Sequence, residues 1–118
     1  MSTTPSSAAK QAQEALGLRL RELRKDAGLS GRDIAAATGW HFTRVSKMET
    51  GVQGLSDLDI RMWCAACGAD DEVPDLIAQA RTVESMYLEL RRQTRAGLRQ
   101  LIHSLSARHE RTGPVPGL

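Results

Sequence analysis

The feature that most limits the fold of this chain is its punctuation. Between Gly28 and Gly68, glycine and serine recur where helices stop and start: Gly28 and Ser30, then Gly39, then Gly51 and Ser56, then Gly68. Glycine takes up the left-handed conformation that closes a helix, and serine accepts a hydrogen bond from the unpaired N–H groups at a helix start. Ser30 has Asp33 three residues on, an acidic variant of the capping box, and Ser56 is followed by Asp57 and Asp59 in what would be a first turn. The marks predict helices over about 14–27, 31–38 and 41–49, and a fourth between Ser56 and Gly68. Alanine, leucine and arginine are abundant while Val, Ile, Phe and Tyr are few, so the chain is expected to be all-α.

Apolar spacing assigns each helix an inner face. Leu16, Leu20, Leu23 and Ala27 recur at helical intervals, as do Ile34, Ala35 and Thr38, then Val45 and Met48, then Ile60, Trp63, Cys64 and Cys67. After the acidic "GADDEVP", residues Leu76, Ala80, Val83, Tyr87, Leu90, Thr94, Leu98, Leu101 and Leu105 step by three and four, close to a heptad seam with a slip near Gly97. A long helix or a kinked pair is expected there, and "RTGPVPGL" should be extended. The first dozen residues are Ser/Thr/Ala-rich and aperiodic. They are expected to be disordered, and a minor-groove arm would have Lys10 as its only cation. The expected organisation is a disordered tail over 1–13, a helical domain over 14–70, a helical extension over 71–112 and an extended tail over 113–118.

Two short helices joined by a glycine turn form a helix-turn-helix unit. Ala35 and Ala36 would let the second helix approach the third closely. With Val45 and Met48 inward, a rotation of 100° per residue sends Phe42, Thr43, Ser46 and Lys47 to the opposite side, where only solvent or a partner can meet them. A face of that kind suits the major groove of DNA, whose width admits one α-helix.

The stretch "LRELRKDAGLSGRDIAAATGWHFTRVSKMETG" and the capped helix after it resemble the Cro/lambda-repressor (XRE) helix-turn-helix family over residues 16–69. The linked positions are Leu20, Leu23, Leu29, Ile34, Ala35, Gly39, Val45, Met48, Glu49, Gly51 and Ile60. The resemblance implies a five-helix lambda-repressor-like domain followed by the long C-terminal helix or helix pair, and a structural ion pair between Arg24 and Glu49. It implies base-edge contacts for Phe42, Thr43 and Lys47, and positions nearer the phosphates for His41, Arg44, Ser46 and Thr50. Gly31, where many relatives carry a phosphate-binding glutamine, and Arg32 beside it open the second helix, whose backbone N–H groups remain a phosphate site. The layout is also similar to actinobacterial regulators of the WhiJ type, in which a long helix leads to a C-terminal regulatory domain near a "VPGL" motif. Val115 to Leu118 match its start, so a truncated chain or a short relative is expected.

Each of these residues has a plainer reading. Phe42 could cover the flank of the third helix, Lys47 and Arg44 could be solvated, His41 could be a first-turn helix residue, and Trp40 could be a staple rather than a base-stacking platform. "CAAC" at 64–67 lies at a helix end without a βαβ pattern, and His103 and His109 are poorly spaced for zinc. Buried thiols are therefore expected ahead of a redox or metal site. No Gly-rich phosphate loop and no recognisable nucleophile, base and orienter are present, so neither an enzyme nor a cofactor is expected.

The formal charge of +2 is small but segregated: Asp70, Asp71, Glu72 and Asp75 lie together, whereas Arg91, Arg92, Arg95, Arg99, Arg108 and Arg111 face only Glu110 over the later stretch. With no signal peptide and no run near the ~20 apolar residues of a membrane span, a cytoplasmic protein is expected. The resulting expectation is a transcriptional regulator of double-stranded DNA, dimeric through Leu90, Leu98, Leu101 and Leu105 unless that helix folds back on its own domain. The alternative is an antitoxin-like interaction module of the same fold, holding an acidic protein through Arg91, Arg92 and Arg95.

Overall fold

The computed structural model describes the backbone over residues 5–112 and the side chains over 6–103. Five α-helices follow in order: α1 Pro5–Asp26, α2 Gly31–Thr38, α3 Phe42–Glu49, α4 Asp57–Cys67 and α5 Val73–Thr112, with a 3-10 turn over Asp70–Glu72 before the last. No strand occurs among the described residues, and no helix there is long and apolar enough to cross a membrane. The all-α expectation holds. The fifth helix of the domain and the C-terminal extension are one continuous helix, which passes Gly97 without a break.

The caps work as their chemistry dictates. Ser30 and Ser56 each accept from the backbone N–H three residues on, and Asp33 and Asp59 each accept from the serine N–H in return. Gly39 closes α2 at φ 82°, a conformation that leaves a glycine unstrained.

One core joins all five helices. Leu16 and Leu20 of α1, Ile34 of α2, Val45 and Met48 of α3, Ile60, Trp63 and Cys64 of α4, and Leu76 and Ala80 of α5 are buried together. Trp63 is the largest fully buried side chain, and its indole N–H donates to the Leu20 carbonyl at 2.9 Å, so the ring adds apolar area without stranding a polar group. Leu76 and Ala80 belong to this core, and the compact unit runs to Tyr87. A second unit begins at Leu88.

Two expectations are corrected at the N-terminus and at the α2 turn. The tail expected to be disordered over 1–13 is helical from Pro5, a residue suited to a first helical position. Ala9 is fully buried and the Gln13 side-chain amide donates to the Gly51 carbonyl at 2.7 Å. Residues 1–4, and the tail expected over 113–118, lie outside the described residues. Ala35 is half-buried against the core as expected, but Ala36 is exposed and takes no part in the approach of α2 to α3.

Glycines bring α3 against α1. A Cβ on Gly17 would lie 2.6 Å from the Glu49 carbonyl oxygen and 2.7 Å from that of Met48, and one on Gly51 would lie 2.6 Å from Cα of Glu14. A side chain at either position would push the end of α3 off its support.

Candidate nucleic-acid interface

The eight residues of α3 divide cleanly into two sides. Val45 and Met48 are buried at 1% exposure, whereas Phe42, Thr43, Ser46 and Lys47 are exposed. The buried pair seats the helix, and the far side stays clear among the described residues.

Both ends of α3 are fixed. At its start the His41 Nδ1 accepts from the Thr43 N–H at 3.1 Å, so His41 is the N-cap and not a residue of the first turn. This bond requires Nδ1 to be unprotonated. At its end Glu49 receives a bidentate pair from Arg24, with Nε donating at 2.5 Å and Nη2 at 3.1 Å, while Nη1 donates to the Leu29 carbonyl at 2.8 Å. Both side chains are nearly buried, and the bonds to Glu49 hold the Arg24 guanidinium above its ordinary pKa. Thr50, the C-cap, donates its hydroxyl to the Ser46 carbonyl at 3.0 Å and is exposed.

Arg44 has partners within the fold. Its guanidinium donates to Asp59 Oδ1 at 2.7 Å and stacks on the Trp40 ring with its carbon 4.8 Å from the centroid. Asp59 is itself buried and bonded to the N-cap of α4. The arginine thus ties α3 to α4. Trp40 is half-buried at the edge of the core, 6.4 Å from the Trp63 ring.

The start of α2 lies beside the start of α3. Gly31 faces the Phe42 ring, where an added Cβ would sit 3.0 Å from Cε2, and the Arg32 guanidinium lies 4.7 Å from the centroid of the same ring. Phe42 remains 41% exposed, so its ring is neither a core residue nor a free one. Asp33 adds a contrary charge. Hydrogen bonds from Ser30 hold its carboxyl below the ordinary range, which fixes a negative charge next to the phosphate site expected at Gly31 and Arg32. Among the candidate residues, Arg32 and Lys47 are the exposed cations on this face.

The thiols are packing groups. Cys64 is fully buried, and burial, aided by Cys67 and the nearby Asp70, Glu72 and Asp71, pushes it up to about 11; burial raises Cys67 as well. Such thiols are poor nucleophiles at neutral pH. No group of three or more His, Cys, Asp or Glu placed to hold a metal ion occurs among the described residues.

In the unit from Leu88, Arg91, Arg92, Arg95, Leu98 and Leu101 are exposed and Leu90 is half-buried, while Leu105 and His109 lie outside the described side chains. Arg92 lies 3.4 Å from Glu89, a pair exposed on both sides.

Sequence reasoning missed Gly17, Gln13 and Asp59 as supports of α3. The available signal was a glycine in the middle of a good helix former's stretch, which costs about 1 kcal/mol against alanine unless something needs the space. The profile of one family, described as a helix-turn-helix domain, matches residues 15–76, from α1 into the start of α5. No curated protein and no solved structure matches the chain.

Proposed function

The chain belongs to the helix-turn-helix domain family, and from that premise we propose that it is a cytoplasmic, sequence-specific regulator that lays α3 in the major groove of double-stranded DNA. The observation that carries this reading is the clear side of α3, with Phe42, Thr43, Ser46 and Lys47 exposed on a helix fixed at both ends. Lys47 supplies a donor for guanine O6 and N7, Thr43 a donor, an acceptor and a methyl, and Phe42 an apolar surface. Ser46, Thr50 and His41 flank them toward the phosphates, with Gly31 and Arg32 at the start of α2, whereas Arg44 serves the fold.

A single unit of this size makes few base contacts, and two half-sites about 10 bp apart are the usual remedy. The exposed Leu98 and Leu101, in register with Leu90 and with Leu105, suit pairing with a second copy. Selection of bound fragments from a random duplex pool tests the whole reading. A two-fold symmetric consensus whose binding weakens steeply with salt is expected, and recovery of no preferred duplex overturns it.

The exposure of Arg91, Arg92 and Arg95 supports a second reading, capture of an acidic protein. Charge reversal at the three positions separates the readings: loss of a protein partner with DNA binding intact favours the second.

A further inference from the structure

The ring of Phe42 is held in a way that no hydrogen-bonding side chain at its position would need. It is the first residue of α3, and the N-terminal residues of a groove-bound helix are those that meet base edges. One edge of the ring lies over Gly31, where the absence of a Cβ leaves the space it occupies. Its face is covered by the Arg32 guanidinium at 4.7 Å, close enough for a cation–π attraction. The residue remains 41% exposed, on the clear side of the helix beside Thr43.

Resting on the DNA-binding reading above, we infer that Phe42, seated on Gly31 and clamped by Arg32, selects one base pair of the operator by the C5-methyl group of its pyrimidine. The ring has no donor or acceptor, so it cannot tell a guanine from an adenine by hydrogen bonding. In the major groove the thymine methyl is the apolar feature that marks one base pair from the others, and 5-methylcytosine carries the same group. Burying that methyl against the ring is favourable by the transfer of one such group from water, whereas a cytosine or uracil leaves the ring facing a gap or solvent. Arg32 and Gly31 matter because a fixed ring covers one methyl position, while a mobile one would cover several weakly.

The test uses the full chain and the duplex recovered by selection. Each thymine is replaced in turn by uracil, which deletes the methyl and leaves every Watson–Crick bond. At one thymine per half-site, uracil should weaken binding by about fourfold, the equivalent of one buried methyl-sized group. The penalty should vanish in Phe42→Ala and persist in Phe42→Leu, and Lys47→Ala should leave it unchanged while relaxing a different position. Gly31→Ala, which brings a Cβ to 3.0 Å from the ring, should reduce the uracil penalty without removing the aromatic group. With cytosine placed at that position, 5-methylation should restore affinity by a similar factor in the wild type and should have no effect in Phe42→Ala.

If every thymine tolerates uracil in the wild type, or if the penalty survives in Phe42→Ala, this inference is overturned while the DNA-binding reading stands. If no preferred duplex is recovered, both fall.

Discussion

Two stretches of the same helix, α5, carry apolar residues at the same spacing and meet opposite fates. Leu76, Ala80 and Val83 are buried, the first completely, in the unit that ends at Tyr87. Leu98 and Leu101, at intervals of three and four from the leucines and threonine before them, are 54% and 55% exposed in the unit that begins at Leu88. The period states that a helix has an apolar face; it does not state what covers that face. The difference comes from what covers each stretch: Leu76 and Ala80 join the core that α1 to α4 build.

The largest effect expected from this contrast is at the centre of the packed unit. Trp63→Ala should cost about 3–5 kcal/mol in urea denaturation, because it opens a cavity between α1 and α4 and removes the indole donor to the Leu20 carbonyl. A loss under 1 kcal/mol would mean that the core is loosely packed and that the two stretches differ less than their burial states.

Charged pairs sharpen the same comparison. Arg24 and Glu49 have side-chain exposures of 13% and 12%, whereas Arg92 and Glu89 stand at 79% and 53%. Removing one partner of a nearly buried pair leaves a charge without compensation. Glu49→Ala should cost about 3 kcal/mol, while Glu89→Ala should change stability by no more than about 0.5 kcal/mol. Equal losses in the two variants would break the contrast.

A smaller effect is local and separates capping from packing. Ser30→Ala should cost about 1 kcal/mol by removing the bond to the Asp33 N–H. The partner carboxylate, Asp33, has a folded-state pKa below its ordinary 3.8, so its contribution is fully present above that value and is lost as pH falls through the lower folded one. In Asp33→Asn the acid limb of a stability profile should lose this component, whereas Ser30→Ala, which keeps the backbone N–H that the Asp33 carboxylate accepts from, should retain most of it. An acid limb in Asp33→Asn identical to the wild type's would show that the cap does not form.

How much of this was legible in the residues follows the same division between local and distant causes. The bounds of α2, the serine caps and the two sides of α3 came from chemistry within four residues, and local signals of that range survive in a single sequence. The pairing of Arg24 with Glu49 came from the family resemblance alone. The helical start at Pro5 was hidden because Gln13 gains its contact from distant chain, reaching Gly51 across 38 residues. The pairing of Arg44 with Asp59 was hidden for a related reason: Asp59 reads as a first-turn residue of α4, and nothing local reveals that its second oxygen holds an arginine 15 residues earlier. The edge of the compact unit at Tyr87 was invisible because the apolar period continues across it.

The smallest expected effect is the one that decides what the exposed leucines are for. Leu98→Ala combined with Leu101→Ala removes side chains that are more than half exposed, so a dilute, monomeric chain loses little packing. Alanine is also the better helix former by a few tenths of a kcal/mol, which offsets part of that loss. The melting of the dilute double variant should therefore match the wild type within about 0.5 kcal/mol. If a second copy covers this face, the wild type should gain stability as protein concentration rises, and the double variant should not, because only association links stability to concentration. A loss above 1 kcal/mol in the dilute state would place these leucines in contact with their own chain. Two stretches of α5 with one apolar period would then share one fate after all.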